Sequence, residues 1–227
     1  RDPDHSLVGS EMCIRDRQEP LEVLASDIGG IAVSCDVTDE AQLASLFATA
    51  RETYGQVDIG VYSAGVHAAD AIADISAEKI LPTLQVSFVG ALLFFKHAAA
   101  AMDKGGSIIT VSSLTARIPG PGLAAYSGAR AGIDYAIKVA AQEYGAQKIR
   151  FNSIAAGLIE TDMTSMFFGM DPVIQAHIDA TPSGRMGTLD DMAEAALFLA
   201  DDSRSGYINA QVLDLAGGQQ TGHLPKF

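Results

Sequence analysis

Residues 105–132, GGSIITVSSLTARIPGPGLAAYSGARAG, decide how the rest of the chain is read. An apolar run (Ile108, Ile109, Val111) ends in Ser112-Ser113, a Gly/Pro-rich stretch follows, and a small-residue helix opens near Tyr126. That order is a strand–loop–helix unit. It puts a hydroxyl at the carboxyl end of a strand and sets Tyr126 and Arg130 four apart, on one helical face. In a parallel α/β sheet the crevice beyond the strand carboxyl ends is where ligands bind. A serine hydroxyl, a phenol and a fixed cation there can polarise a carbonyl and pass it a proton.

Composition sets the outer bounds. A chain of 227 residues with 48% hydrophobic and 19% charged residues fits one ordered α/β domain. A formal charge of −13 speaks against nucleic-acid binding, which needs a basic face. Cys13 and Cys35 give no disulfide framework or zinc pattern, and the five histidines show no metal-ligand spacing, so no metal is expected. The longest apolar run, 88–95, is too short for a membrane span, and the first residues lack signal-peptide order. The expected setting is the cytoplasm.

Outward from the central unit, the pattern alternates strands and helices. Residues 1–17 show neither period and read as a segment outside the domain, either adaptor read-through or a native terminus; the domain is 18–227. A helix end leads through Gly29-Gly30 to a strand at 31–35, then Asp36-Val37-Thr38-Asp39, with Thr38 expected to cap a helix carrying Leu43, Leu46, Phe47 and Ala50. A strand at 57–62 enters Ser63-Ala64-Gly65. The helix over about 77–102 is apolar nearly all round, so the face not packed on the sheet calls for a second subunit. After the Tyr-bearing helix, 124–146, come a strand at 149–154, the turn Ala156-Gly157, and a Met/Phe-rich stretch, 162–180, read as a mobile lid over an apolar substrate. Thr188 caps a further helix, and 211–215 is the last strand.

Ser113, Tyr126 thirteen positions on and a basic residue four beyond resemble the active site of the short-chain dehydrogenase/reductase family, Ser…Tyr-x-x-x-Lys, with Arg130 in place of the lysine. Cys35-Asp36-Val37-Thr38 is similar to that family's adenine-side segment. Tyr62-Ser63-Ala64-Gly65 stands where it has Asn-Asn-Ala-Gly, and Ala156-Gly157-Leu158-Ile159-Glu160-Thr161 resembles its Pro-Gly-x-Val/Ile-x-Thr loop. The resemblance implies a single-domain, Rossmann-like doubly wound parallel sheet and NAD or NADP as cofactor. Asp36, Val37, Ser63, Ala64, Gly65, Gly157, Ile159, Thr161, Tyr126 and Arg130 would meet that cofactor. It further implies a homodimer or homotetramer built on the 77–102 and Tyr-bearing helices. Ser87 stands where the family has a relay asparagine; a helical serine is as readily a back-bonded hydroxyl.

The implied chemistry is hydride transfer between nicotinamide and a small apolar ketone or secondary alcohol. Ser113 holds the substrate oxygen, Tyr126 is acid or base, and Arg130 is the cation that favours the phenolate. The family opens with a strand, a Thr-Gly-x-x-x-Gly-x-Gly turn, a helix and a second strand, and this sequence contains no such unit. The N-terminal βαβ portion is therefore expected to be missing. Strand 31–35 would then lack a partner, 57–62 would show an apolar edge, and dinucleotide binding would be weak. The alternative is a catalytically impaired relative with a role in assembly. A hydrolase is disfavoured, since no Gly-x-Ser-x-Gly elbow surrounds Ser112 or Ser113.

Overall fold

The structure, a computed structural model, describes residues 18–66, 69–161 and 163–221. The expectations for residues 1–17 lie outside the described residues. The elements follow in order: α1 (Gln18–Ile28), α2 (Glu40–Tyr54), β1 (Ile59–Tyr62), α3 (Ala77–Leu84), α4 (Gly90–Ala101), β2 (Gly106–Ser113) and α5 (Ala124–Tyr144). Then come β3 (Ile149–Ala156), α6 (Ser165–Phe168), α7 (Asp171–Ala180), α8 (Leu189–Ala200), α9 (Asp202–Ser205) and β4 (Val212–Leu215).

The four strands form one parallel sheet in the order β1-β2-β3-β4, with Ile59 opposite Ser107, Ile108 opposite Phe151 and Ile154 opposite Leu213. Both faces are covered. Ile108 and Phe151 pack with Phe94, Phe95, Ile133 and Ile137 from α4 and α5, while Ile109 and Ile154 pack with Ala195 and Leu199 of α8. Alternate residues of a strand point to opposite faces, so burial on both sides explains the continuous apolar run in β2. This is the α/β fold the sequence leads one to expect.

Several local expectations are corrected. Residues 31–35 form no strand; apart from a one-residue bridge at Ala32 the segment is irregular, with no strand of the sheet beside it among the described residues. It is anchored by Cys35 and Val37, which are buried against the α2 and α4 side of the core. Asp39, not Thr38, caps α2: its carboxylate accepts from the N–H groups of Ala41 and Gln42 at 2.9 and 3.3 Å, while Thr38 turns its hydroxyl to Asp36. Carboxylates favour a helix N-terminus because the first amides have no helical partner. Among the described residues β1 pairs only with β2, and its Val61 is 42% exposed. Thr188 does cap α8, in a reciprocal box with Asp191.

The run from Ala77 to Ala101 is helical throughout but not α-helical throughout: Gln85–Val89 form a π turn between α3 and α4. By length and composition alone these 25 residues could cross a membrane, but half of the most apolar window is buried inside the fold. The π turn leaves Val86 C=O available, and the buried phenol of Tyr62 donates to it. Gly90 makes that approach feasible, since a Cβ there would stand 2.6 Å from both Tyr62 Oη and Val37 Cγ2. Burial, the largest influence, pushes the Tyr62 phenol far above its ordinary range, so it acts as a fixed donor.

Candidate active site

Tyr126 and Arg130 lie one turn apart on α5, and the Arg130 guanidinium stands over the Tyr126 ring, Cζ 5.2 Å from its centroid. Arg130 is only 3% exposed. Its Nη1 donates to Val111 C=O on β2 at 2.8 Å and, more weakly, to Ala64 C=O beyond β1 at 3.4 Å. A Cβ on Gly65 would overlap Nη2, so glycine is what lets the guanidinium lie there. Thus one arginine ties the phenol-bearing helix to the carboxyl tips of β1 and β2. Its Nε is buried with no partner among the described residues, and no carboxylate among them pairs with it.

Ser113 ends β2, two residues past the carbonyl that Arg130 holds. Its Oγ accepts from Thr115 N at 3.2 Å and from Thr115 Oγ1 at 3.0 Å, starting the short turn at Leu114–Ala116. A hydroxyl that accepts twice still has its own proton to donate, which is what gripping a carbonyl oxygen requires. Ser113 is thus linked to Arg130, and so to the helix that carries Tyr126, through the β2 backbone.

Ser87 lies in the π turn, wholly shielded, with Oγ unpartnered among the described residues. The back-bonded arrangement open to a helical serine is not adopted. π turns are frequent at functional sites, where they re-aim one residue.

The candidate cofactor residues occupy the same end of the sheet. Gly157 follows β3 and donates to Leu215 C=O at 2.9 Å; Ile159 is buried and bridges to Gly187. Thr161 N donates to Thr164 Oγ1, which in turn donates to Ile159 C=O, closing the loop on itself. Asp36 is exposed; its Oδ1 already accepts from Thr38 N and Oγ1 at 2.9 and 2.8 Å. Val37 is buried, while Ser63, Ala64 and Gly65 follow the tip of β1. Beside the Gly157 loop opens a cavity of about 200 Å³ lined by Ile159, His177, Arg185, Asp214 and Gln219, among others. Ser113, Tyr126, Arg130 and Ser87 do not line it.

Sequence reasoning missed a polar cluster below the Tyr126–Arg130 pair. Asp134, one further turn along α5, accepts from Ser153 Oγ at 2.8 Å and is also hydrogen-bonded by Ser112. Burial, the leading influence, raises its carboxyl above the usual range against the pull of those bonds and of Arg117. The spacing of four that links Tyr126 to Arg130 leads on to Asp134, so this residue was findable. Arg117 and Asp214, which complete the cluster, carry no such signal.

Comparison with known proteins identifies the family. The family profile described as Enoyl-(Acyl carrier protein) reductase matches residues 6–220. A short-chain type dehydrogenase/reductase of Picea abies is 33% identical over 197 residues, covering 85% of this chain and 72% of the relative. The 3-oxoacyl-[acyl-carrier-protein] reductase of Bos taurus is 32% identical over 206 residues, covering 89% and 84%. A solved short-chain type dehydrogenase/reductase from Mycobacterium ulcerans superposes with a TM-score of 0.84 at 29% identity, covering 92% of this chain and 78% of that one. The parallel sheet together with these relatives defines an α/β enzyme of the oxidoreductase class. The chain belongs to the short-chain dehydrogenase/reductase family.

Proposed function

We propose that this chain carries the reaction centre of an NAD(P)-dependent reductase acting on a small, apolar carbonyl compound and, in reverse, on the secondary alcohol. The observation that carries the reading is the Arg130 guanidinium held over the Tyr126 ring while bonded to the tip of the strand that ends in Ser113. Two buried polar atoms in this region, Arg130 Nε and Ser87 Oγ, have unmet capacity among the described residues. Buried polar groups are normally partnered, so these fit a site completed by a bound polar group. They suit the nicotinamide half of a dinucleotide, with Gly157, Ile159 and Thr161 on one side and Ser63, Ala64 and Gly65 on the other. Asp36 and Val37 would take the adenine end.

When bound between the Gly157 and 63–65 loops, a nicotinamide would supply hydride to the carbonyl carbon or accept it from the carbinol. The protein's part is proton control and orientation. Ser113 donates to the substrate oxygen and holds it toward the phenol. Tyr126 gives that oxygen its proton in reduction and takes it back in oxidation. Arg130 places a positive charge beside the ring. Ser87, behind them in the π turn, is a candidate for passing the proton on through water.

Further parts of the reading extend to the whole protein. The side of β1 that has no strand partner among the described residues and the exposure of Val61 favour a neighbouring βαβ unit with the Gly-rich phosphate turn. Without it, dinucleotide binding is weak. A homodimer or homotetramer is favoured by the apolar groove between α4 and α5, where Leu92, Tyr135 and Val139 are 40, 69 and 45% exposed. The 163–180 segment, with Met163 and Met170 turned outward, would cover the substrate.

A second reading has its own support. Arg130 gives Nη1 to two main-chain carbonyls, as a structural latch would, which suits an impaired relative that serves assembly. The test is titration calorimetry with NADH and NADPH, plus nicotinamide absorbance with a panel of ketones and 3-oxoacyl esters. Turnover that disappears in Tyr126→Phe supports the enzyme. No turnover with oligomers intact supports the latch, and tight NAD(P) binding by this chain refutes the weak-binding expectation.

A further inference from the structure

The loop that joins Ser113 to Tyr126 is pinned by charges that the proposed reaction does not use. Arg117, just beyond the Leu114–Ala116 turn, sends Nη1 to Asp214 Oδ1 on β4 and places Nη2 3.8 Å from Asp134 Oδ2 on α5. Asp134 is in turn held by Ser153 on β3 and Ser112 on β2. One side chain of the loop therefore reaches the helix that carries the phenol and a strand 97 residues away. An ordinary surface arginine pairs with a local partner and moves with it; this one spans two elements fixed by the sheet. A planar fork with two separate donor ends suits that span, where a single ammonium would serve one carboxylate at a time. The Asp134 and Asp214 carboxylates are 12 and 26% exposed and so are held by the fold, while Arg117 keeps a third of its side chain in solvent.

We infer that Arg117 is a positioning residue: by bridging Asp134 and Asp214 it fixes the 114–125 loop, and so sets where the Tyr126 phenol stands relative to the Ser113 hydroxyl. This rests on the reading of those two groups as the reaction centre. Because reaction rates are steep in geometry, with ångström misplacements costing up to about 10²-fold, the effect falls on kcat rather than on substrate affinity.

The test uses the full chain with Arg117→Met, Arg117→Lys, Asp214→Asn and the Arg117→Met/Asp214→Asn double variant. Two independent readouts are taken. The first is amide hydrogen exchange, which needs no activity: Arg117→Met is expected to speed exchange in 114–125 by about tenfold while 106–113 and 149–156 stay protected. The second is reduction of ethyl acetoacetate with NADH or NADPH: kcat is expected to fall by roughly 10–100-fold with KM within about threefold. Arg117→Lys falls between wild type and Arg117→Met in both readouts. The double variant is no worse than either single one, since the two changes break one bridge. Unchanged exchange in 114–125, or effects of Arg117→Met and Asp214→Asn that add, overturn the inference. Absence of turnover in the wild type counts against the catalytic reading alone, and exchange and its coupling then decide the bridge.

Discussion

Arg150 and Arg130 are both almost fully buried, at 6 and 3% exposure, yet they sit at opposite ends of the sheet and are treated in opposite ways. Arg150 opens β3 at its amino end. Its Nε and Nη2 bond Asp202 at 2.8 and 2.7 Å, Nη2 also reaches Leu199 C=O at 2.8 Å, and Nη1 reaches Ile208 C=O at 3.2 Å. Charge and donors are matched, and the residue fastens α8, α9 and the approach to β4. Arg130, at the carboxyl end, has two carbonyls, an aromatic face, an orphaned Nε and no carboxylate among the described residues. A buried cation with a counter-ion is part of the framework; one without keeps its field for something else. Under the proposed function, the contrast separates an end built for holding from one built for reacting.

The most severe way to try that contrast is to remove the phenol. Tyr126→Phe is expected to lower kcat by about 10²–10⁴ with the urea unfolding midpoint unchanged; a variant that keeps turnover would strip the carboxyl end of its assigned role. The two arginines come next. Arg130→Met should cost roughly 10–10³ in kcat/KM and about 1 kcal/mol in stability, because the donor lost by the Val111 and Ala64 carbonyls is offset in part by removal of an uncompensated buried charge. Arg150→Met should lose about 2–4 kcal/mol in urea titration, since the buried Leu199 and Ile208 carbonyls lose their donor, with turnover per folded molecule unaltered. Equal destabilisation by both would erase the distinction.

Smaller effects sharpen it. Gly90→Ala forces a methyl against Tyr62 Oη and Val37 Cγ2, so a loss of about 1–3 kcal/mol is expected in the same titration. The smallest effect concerns acidity. The carboxyl of Asp134 is raised in the folded state, chiefly by burial, so it binds its proton more readily there than in the unfolded chain. Its contribution is fully present below the unfolded carboxylate range and is lost as pH rises through the raised folded value. The groups facing it are Arg117, Asp214, Ser112 and Ser153. Wild type should therefore lose stability relative to Asp134→Asn as urea titrations step from acid toward neutral pH; a gap that does not change with pH would reject this assignment.

Much of this was legible in the chain itself. The parallel sheet could be read from apolar runs such as Ile108-Ile109 because strands covered on both faces lose their alternation. The Tyr126–Arg130 neighbourhood could be read because helical spacing is local. Strand 31–35 was misread because a ladder needs a partner, and partnership is not a local property. The cap on α2 moved by one residue because Thr38 and Asp39 both suit the position, and Asp36 draws the threonine away. Arg117 and Asp214 were invisible for the plainest reason: their link joins residues 97 apart with no periodic pattern between them.

The π turn at Gln85–Val89 also governs which length changes this part of the chain can absorb. It takes up about one residue more than regular winding would. Excising a single residue there would regularise the coil and leave α3 and α4 in nearly their present phase, because the wide turn already absorbs that residue. The phenol of Tyr62 would then lose its aligned acceptor at Val86, while Lys79 would keep its bond to Asp70 at 2.6 Å. A surplus residue in a helix thus re-aims one turn and spares the elements on either side.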